Sequence, residues 1–265
     1  MKNTLREALL ARRVSLGAWI QVGHPAGAEV LARAGFDWAC VDLEHGVIGI
    51  ETMADVFRAL EAGGCEPVAR VPTNDPVWIH RCLDAGARGL IVPMVNTAQQ
   101  AAAAVREAKF PPQGARGFGY ARANAYGADF AAYAETANDE VAVIVQIEHR
   151  EAIANLDAIL SVDGVDAAFI GPYDLSGSLG VVGQLNHPEV IAAQDRFLGA
   201  CSAHGVAAGL HVVEPDDENV PAALARGYTL IALGLDVVFL REGAVRAVRA
   251  AREQQRESTT PEEDR

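Results

Sequence analysis

Eight short apolar runs, each followed by an amphipathic stretch, recur along this 265-residue chain, and that alternation leaves few folds open to it. The runs are Leu16 to Val22, Trp38 to Leu43, Pro67 to Val71, Gly89 to Met94, Val141 to Ile147, Ala167 to Gly171, Val206 to His211 and Leu230 to Leu233. Stretches near 26–34, 51–62, 75–86, 97–109, 149–160, 188–204, 217–226 and 242–255 follow them, with apolar residues at the three- and four-residue spacing of a helix face. Strands alternating with helices predict a parallel sheet with crossover connections, because a parallel pair cannot be joined by a tight turn. Eight such units predict a closed (β/α)8 TIM barrel, which a chain of this length suits as a single domain. The expected domain is 1–256, and the Ser, Thr, Pro and acidic residues of 257–265 predict a disordered tail.

Two connections are long. Phe110 to Glu140 is rich in Gly, Ala and Tyr, and Pro172 to Pro188 is rich in Gly; both are expected after strands and therefore at the catalytic face. A formal net charge of -13 disfavours nonspecific binding to nucleic acid or an anionic membrane. No run reaches the roughly 18 apolar residues of a membrane span, and Met1 to Arg13 lacks the apolar core of a signal peptide. Cys40, Cys65, Cys82 and Cys201 show no paired spacing, so free thiols and a cytoplasmic location are expected.

Charged residues where apolar strands stop are the informative ones, since a barrel's catalytic groups sit at its C-terminal mouth. Glu148 and Asp174 come from adjacent strand ends and offer hard oxygen ligands suited to Mg²⁺ or Mn²⁺. Their alternative roles are a first-turn acid of the next helix and an N-cap. Arg70 presents a planar donor fork to a carboxylate or developing enolate oxygen, or closes the barrel end on Asp42 or Asp84. His45, next to Gly46, is the acid/base candidate, with Asp84 expected to orient it. His211 reads as a ligand, a proton carrier or a loop-bonding histidine. The Gly171-Pro172-Tyr173-Asp174 turn could cradle a small carboxylate on backbone N–H groups. Dinucleotide and phosphate-loop fingerprints and a nucleophile elbow are absent. Only two lysines occur, Lys2 and Lys109, neither at a strand end, so a Schiff-base mechanism is not expected.

Five segments, GAWIQVGHPAGAEVLARAGFDWACVDLEHG from Gly17, VARVP from Val68, RGFGYARANAYG from Arg116, VQIEHREAIANLDAI from Val145 and FIGPYDLSGSLG from Phe169, resemble the HpcH/HpaI aldolase family of metal-dependent pyruvate aldolases. The resemblance covers nearly the whole barrel. It implies reversible cleavage of a 4-hydroxy-2-oxo acid to pyruvate and an aldehyde, with a divalent metal (Mg²⁺, Mn²⁺ or Co²⁺) on Glu148 and Asp174. It implies that Arg70 steadies the enolate, His45 and Asp84 form an acid/base dyad, and Gln146 contacts pyruvate. Gly171 to Asp174 would hold the pyruvate carboxylate, and Trp19 would line the pocket, unless it is a barrel-core residue. A hexamer, a trimer of dimers with the last helix swapped between subunits, is also implied. Oxaloacetate decarboxylation and a citrate-forming condensation are the alternative reactions on this scaffold, and a non-catalytic metabolite-binding barrel is the alternative class.

Overall fold

The computed structural model describes residues 2–259. Eight parallel strands close into a barrel in chain order: β1 (Ser15–Ile20), β2 (Trp38–Asp42), β3 (Glu66–Arg70), β4 (Gly89–Val92), β5 (Ala142–Ile147), β6 (Ala167–Ile170), β7 (Ala207–Val212) and β8 (Leu230–Leu235). The helices are α1 (Thr4–Leu10), α2 (Pro25–Ala34), α3 (Ile50–Ala62), α4 (Pro76–Asp84), α5 (Ala98–Ala108), α6 (Phe130–Glu140), α7 (Arg150–Ala154), α8 (Leu156–Leu160), α9 (Pro172–Ser178), α10 (Pro188–His204), α11 (Asn219–Ala225) and α12 (Asp236–Thr259). The predicted (β/α)8 barrel is therefore the observed one. Among the described residues no helix is long and apolar enough to cross a membrane. All four cysteines are free and buried.

Two concentric layers form the core, because successive strand residues point to opposite faces. The inner layer includes Trp38, Cys40, Val68, Ile91, Ile144 and Phe169, and Leu5 and Leu9 of α1 close its lower end. The outer layer packs strands against helices, as Val41 and Val145 do against residues such as Phe57 and Leu156. Large and small residues complement each other inside. A Cβ on Gly17 would stand 2.1 Å from Cε2 of Trp38, and one on Gly209 2.4 Å from Cδ2 of Phe169. Several helices start with a side chain capping a backbone N–H: His24 accepts from Ala26, Asp75 from Val77, His149 from Glu151 and His187 from Glu189. Three of the histidines outside the predicted site thus serve as caps.

The structure corrects three expectations and adds one helix. The stretch 149–160 is two short helices broken at Asn155, whose side chain donates to the Asn96 carbonyl instead of continuing the turn. The N-terminal segment forms α1, bolted below the barrel by Arg6 on buried Asp166. The segment 110–140 lies at the opposite face from the one expected. It follows α5, not a strand, and the helix has already returned the chain to the N-terminal ends of the strands. The helix expected near 242–255 begins at Asp236, directly after β8, and runs to Thr259, past the expected tail boundary at 257; residues 260–265 lie outside those described.

Because Trp38 occupies the space beside Gly17, the smallest added side chain overpacks the barrel interior. Gly17→Ala is expected to lower stability by about 1–3 kcal/mol, measured as a reduced midpoint in urea unfolding with an unchanged slope.

Candidate active site

Strand direction brings most of the predicted side chains to one mouth. Arg70, the last residue of β3, pairs in register with Asp42, the last of β2. Its Nε donates to Asp42 Oδ1 at 2.9 Å and its Nη2 to Oδ2 at 2.7 Å, a bidentate pair on a fully buried carboxylate. Nη1 stands 3.2 Å from Glu44 Oε2, and the guanidinium carbon lies 4.3 Å from the Trp19 ring centroid. Of the two roles open to Arg70 from sequence, the ion pair with Asp42 is present, while Nη1 points along Glu44 at the mouth. Gln21 Nε2 donates to Asp42 Oδ2 at 2.8 Å, so three donors from two side chains hold that carboxylate. Burial alone would raise the Asp42 carboxyl, but the Arg70 hydrogen bonds and charge prevail and hold it below the usual range.

Glu148 follows β5 and is buried. Its Oε1 accepts from the Met94 backbone N–H at 2.8 Å, and Oε2 accepts from Gln146 Nε2. Burial pushes its carboxyl above the ordinary value against those two hydrogen bonds, and the Asp174 charge adds to the rise. Glu44 is likewise raised by burial, with Glu148 adding to it and Arg70 opposing it. Asp174 sits in the first turn of α9, whose N-terminus no side chain caps. Gly171 is required here by space: a Cβ would lie 2.9 Å from both Cβ and Oε2 of Glu148. Pro172 opens α9, and the Tyr173 side chain is exposed.

His45 lies on the loop after β2, with its backbone N–H on Asp42 Oδ1 and its Nε2 3.8 Å from Glu44 Oε2. Asp84 does not join it within this chain. As the last residue of α4 it sits at the foot of the barrel, where it accepts from Arg116 Nη2 at 2.8 Å and helps anchor the 110–140 segment. The sequence reading placed Asp84 by loop proximity and overlooked that α4 carries it to the other end. Trp19 is inside the barrel, its ring 6.0 Å from Phe169 and 5.7 Å from His211, and so lies at once in the core and beneath the mouth. Gln21 and the Met94 amide were missed, while Glu44 belongs to the Asp42-to-Gly46 strand end expected at the mouth. Gln21 carried a usable sign, being a polar residue at the end of an apolar run.

Three carboxylates, Asp42, Glu44 and Glu148, thus share the field of one guanidinium, and Asp174 acts on Glu148 beside them. Asp42 already takes two of its donors. Glu148 and Asp174 are left with oxygen ligands of the hard type and no cation of their own, which fits a divalent metal. Among the described residues no three His, Cys, Asp or Glu side chains are placed as a metal cluster, so a two-carboxylate site would leave the remaining positions to water and substrate.

Residues 15–242 match the HpcH/HpaI aldolase/citrate lyase family. The chain is 39% identical over 240 residues to a hydroxypyruvate/pyruvate aldolase of Roseobacter denitrificans, covering 90% of this chain and 93% of that one. It is 40% identical over 245 residues to a 4-hydroxy-2-oxo-heptane-1,7-dioate aldolase of Salmonella dublin, covering 92% of each. A solved HpcH/HpaI aldolase/citrate lyase family protein from Burkholderia cenocepacia J2315 superposes with a TM-score of 0.90 at 38% identity, over 95% of this chain and 100% of that one. With the barrel, its crowded acidic mouth and these full-length likenesses together, the chain belongs to the HpcH/HpaI aldolase/citrate lyase family and is a carbon–carbon lyase.

Proposed function

We propose that this enzyme reversibly cleaves the C3–C4 bond of a 4-hydroxy-2-oxo acid, giving pyruvate and an aldehyde. The observation that carries the reading is the buried Glu148 carboxyl, raised by burial and by Asp174, beside an arginine fixed at the same mouth. Glu148 and Asp174 would hold a divalent cation, Mg²⁺, Mn²⁺ or Co²⁺, which would supply positive charge next to the 2-oxo acid where negative charge develops. Arg70 adds a second positive group, and its pairing with Asp42 means that it needs no reorganisation when the enolate oxygen forms. Gln146 orients Glu148 through its amide N–H, and its Oε1, an acceptor, is left for a substrate hydroxyl or a water. The backbone N–H groups of Tyr173 and Asp174 at the start of α9 would face the pyruvate carboxylate. His45 takes the proton from the 4-hydroxyl in cleavage and returns it in synthesis, with Glu44 as the nearest carboxylate to its ring.

The same reading extends to assembly. On α12 Leu240, Val245 and Val248 are exposed, and Leu240 and Val248 lie two four-residue steps apart with Ala244 between them, an apolar stripe that a second copy would cover. A homo-oligomer built on that helix is consistent with the hexamer implied by the family resemblance.

Removal of bound metal with EDTA is expected to abolish pyruvate release from 4-hydroxy-2-oxo acids in a lactate dehydrogenase-coupled assay, with Mg²⁺, Mn²⁺ or Co²⁺ restoring it; full turnover by metal-free protein would refute the cation's role. His45→Ala should reduce cleavage by about 10²–10⁴-fold while binding of oxalate, a pyruvate-enolate mimic, falls far less. Equal losses in both would remove His45 from proton transfer. The double variant Val245→Glu, Val248→Glu should run as a smaller species than wild type by light scattering while retaining its circular dichroism spectrum. An unchanged mass would place the subunit contact elsewhere.

A further inference from the structure

The wall of the mouth formed by β1, β5 and β7 carries polar atoms that the fold leaves unsatisfied. Trp19 Nε1, Gln146 Oε1 and His211 Nε2 are all shielded from solvent and have no hydrogen-bond partner. Such atoms are costly to leave unpaired and are normally met by a partner. His211 is the informative one. Phe169 pairs in register with both Gln146 and Gly209, so two residues further up the strands Glu148, Gly171 and His211 stand on one rung. Leu210, on the other face of β7, packs into the outer layer, which turns His211 inward. Its ring tilts at 51° against Trp19, on which the Arg70 guanidinium also rests. The histidine is therefore next to the bond-making groups and on a different side of the mouth from Glu44 and His45.

Two features set what His211 can recognise. Burial, reinforced by the Arg70 charge, drives its pKa down to about 4, so the ring is neutral in the physiological range and cannot pair with a carboxylate. The one hydrogen bond that supports the ring goes to the Gly234 backbone carbonyl. With Nε2 unpartnered, that bond falls to Nδ1, and the tautomer that makes it leaves Nε2 without a proton. Nε2 is then a lone-pair acceptor, and its complement is a hydroxyl donor.

We infer that His211 is a specificity-determining residue that accepts a hydrogen bond from a hydroxyl on the aldehyde partner, making a short hydroxyaldehyde the preferred acceptor for the pyruvate enolate. The inference rests on the aldolase reading above and adds the chemical class of its second substrate. A carboxylate-bearing aldehyde, the kind released from a 4-hydroxy-2-oxo dioic acid, gains nothing from a neutral acceptor. An alkyl aldehyde leaves Nε2 unpaired.

Glycolaldehyde and propanal differ in replacing a hydroxyl by a methyl at nearly constant size, and they are the probes of choice, with succinic semialdehyde as the anionic comparison. Metal-loaded wild type should first exchange the methyl protons of pyruvate in D2O, followed by NMR without any aldehyde. Absence of exchange overturns the enolate reading and this inference with it. With exchange present, the ratio of kcat/KM for glycolaldehyde to that for propanal should fall by roughly tenfold or more in His211→Leu. His211→Asn, which keeps an acceptor, should retain a larger part of it. The comparison of ratios cancels the intrinsic reactivity of the aldehydes, and the Asn variant covers the case in which Leu does not fold. An equal ratio in wild type and both variants, or a wild-type preference for succinic semialdehyde over glycolaldehyde, overturns the inference while leaving the aldolase reading intact.

Discussion

A buried carboxylate, Asp42, that fixes Arg70 in one orientation is the contact on which the rest of the mouth depends. Pairs of this kind are poor sources of stability, because stripping water from two charges costs about as much as their attraction returns. What the pair achieves is placement. Two parallel hydrogen bonds to Asp42, a third charge at Glu44 and the flat face of Trp19 leave the guanidinium one place to be. Glu44 and Glu148 stand around that fixed charge, and their raised pKa values come first from burial, with the neighbouring carboxylates adding to the rise. Such an arrangement is a sign of function, since a fold under selection for stability alone would neutralise or expose those groups.

The lysines show why the chemistry needs a metal and not an amine. Lys2 is exposed near the N-terminus. Lys109 has the feature that Schiff-base enzymes exploit, a pKa brought down to about 8 by burial. It is at the wrong end. As the cap of α5 it sits below the barrel, where Nζ donates to the carbonyls of Asn138 and Val141 and holds the 110–140 segment against the strands. Its perturbation is structural, and the mouth has no amine to act as an electron sink. In the proposed reaction, two carboxylates able to bind a cation and Arg70 would take that place.

The barrel was legible from sequence because each unit repeats a short apolar strand and an amphipathic helix, and the mouth was legible because charge at a strand end has no packing reason to be there. Arg70, Gln146, Glu148, Asp174 and His45 follow from that rule, and the structure gathers them. Loop proximity, a weaker guide, misplaced Asp84 and the 110–140 segment. Both come after helices, so chain direction puts them at the foot; sequence distance from a strand was taken for position when only the number of intervening elements decides it. α1 and α6 were missed because their helical signs are short and carry no repeat.

Gly171 ties the two scales together. Its backbone N–H bonds to the Ile147 carbonyl, extending the β5–β6 pairing one residue beyond β6, and its missing side chain leaves room for Glu148, whose Cβ and Oε2 would stand 2.9 Å from a Cβ there. The register that closes the barrel is thus the register that presses the start of α9 onto the Glu148 carboxylate, and brings Asp174 into its field. A barrel shifted by one residue at this strand would lose the inner packing of Phe169 and the site together, because each inward residue would turn outward. The close approach allowed by one absent methyl group therefore links the closure of the sheet to the spacing of the two acids.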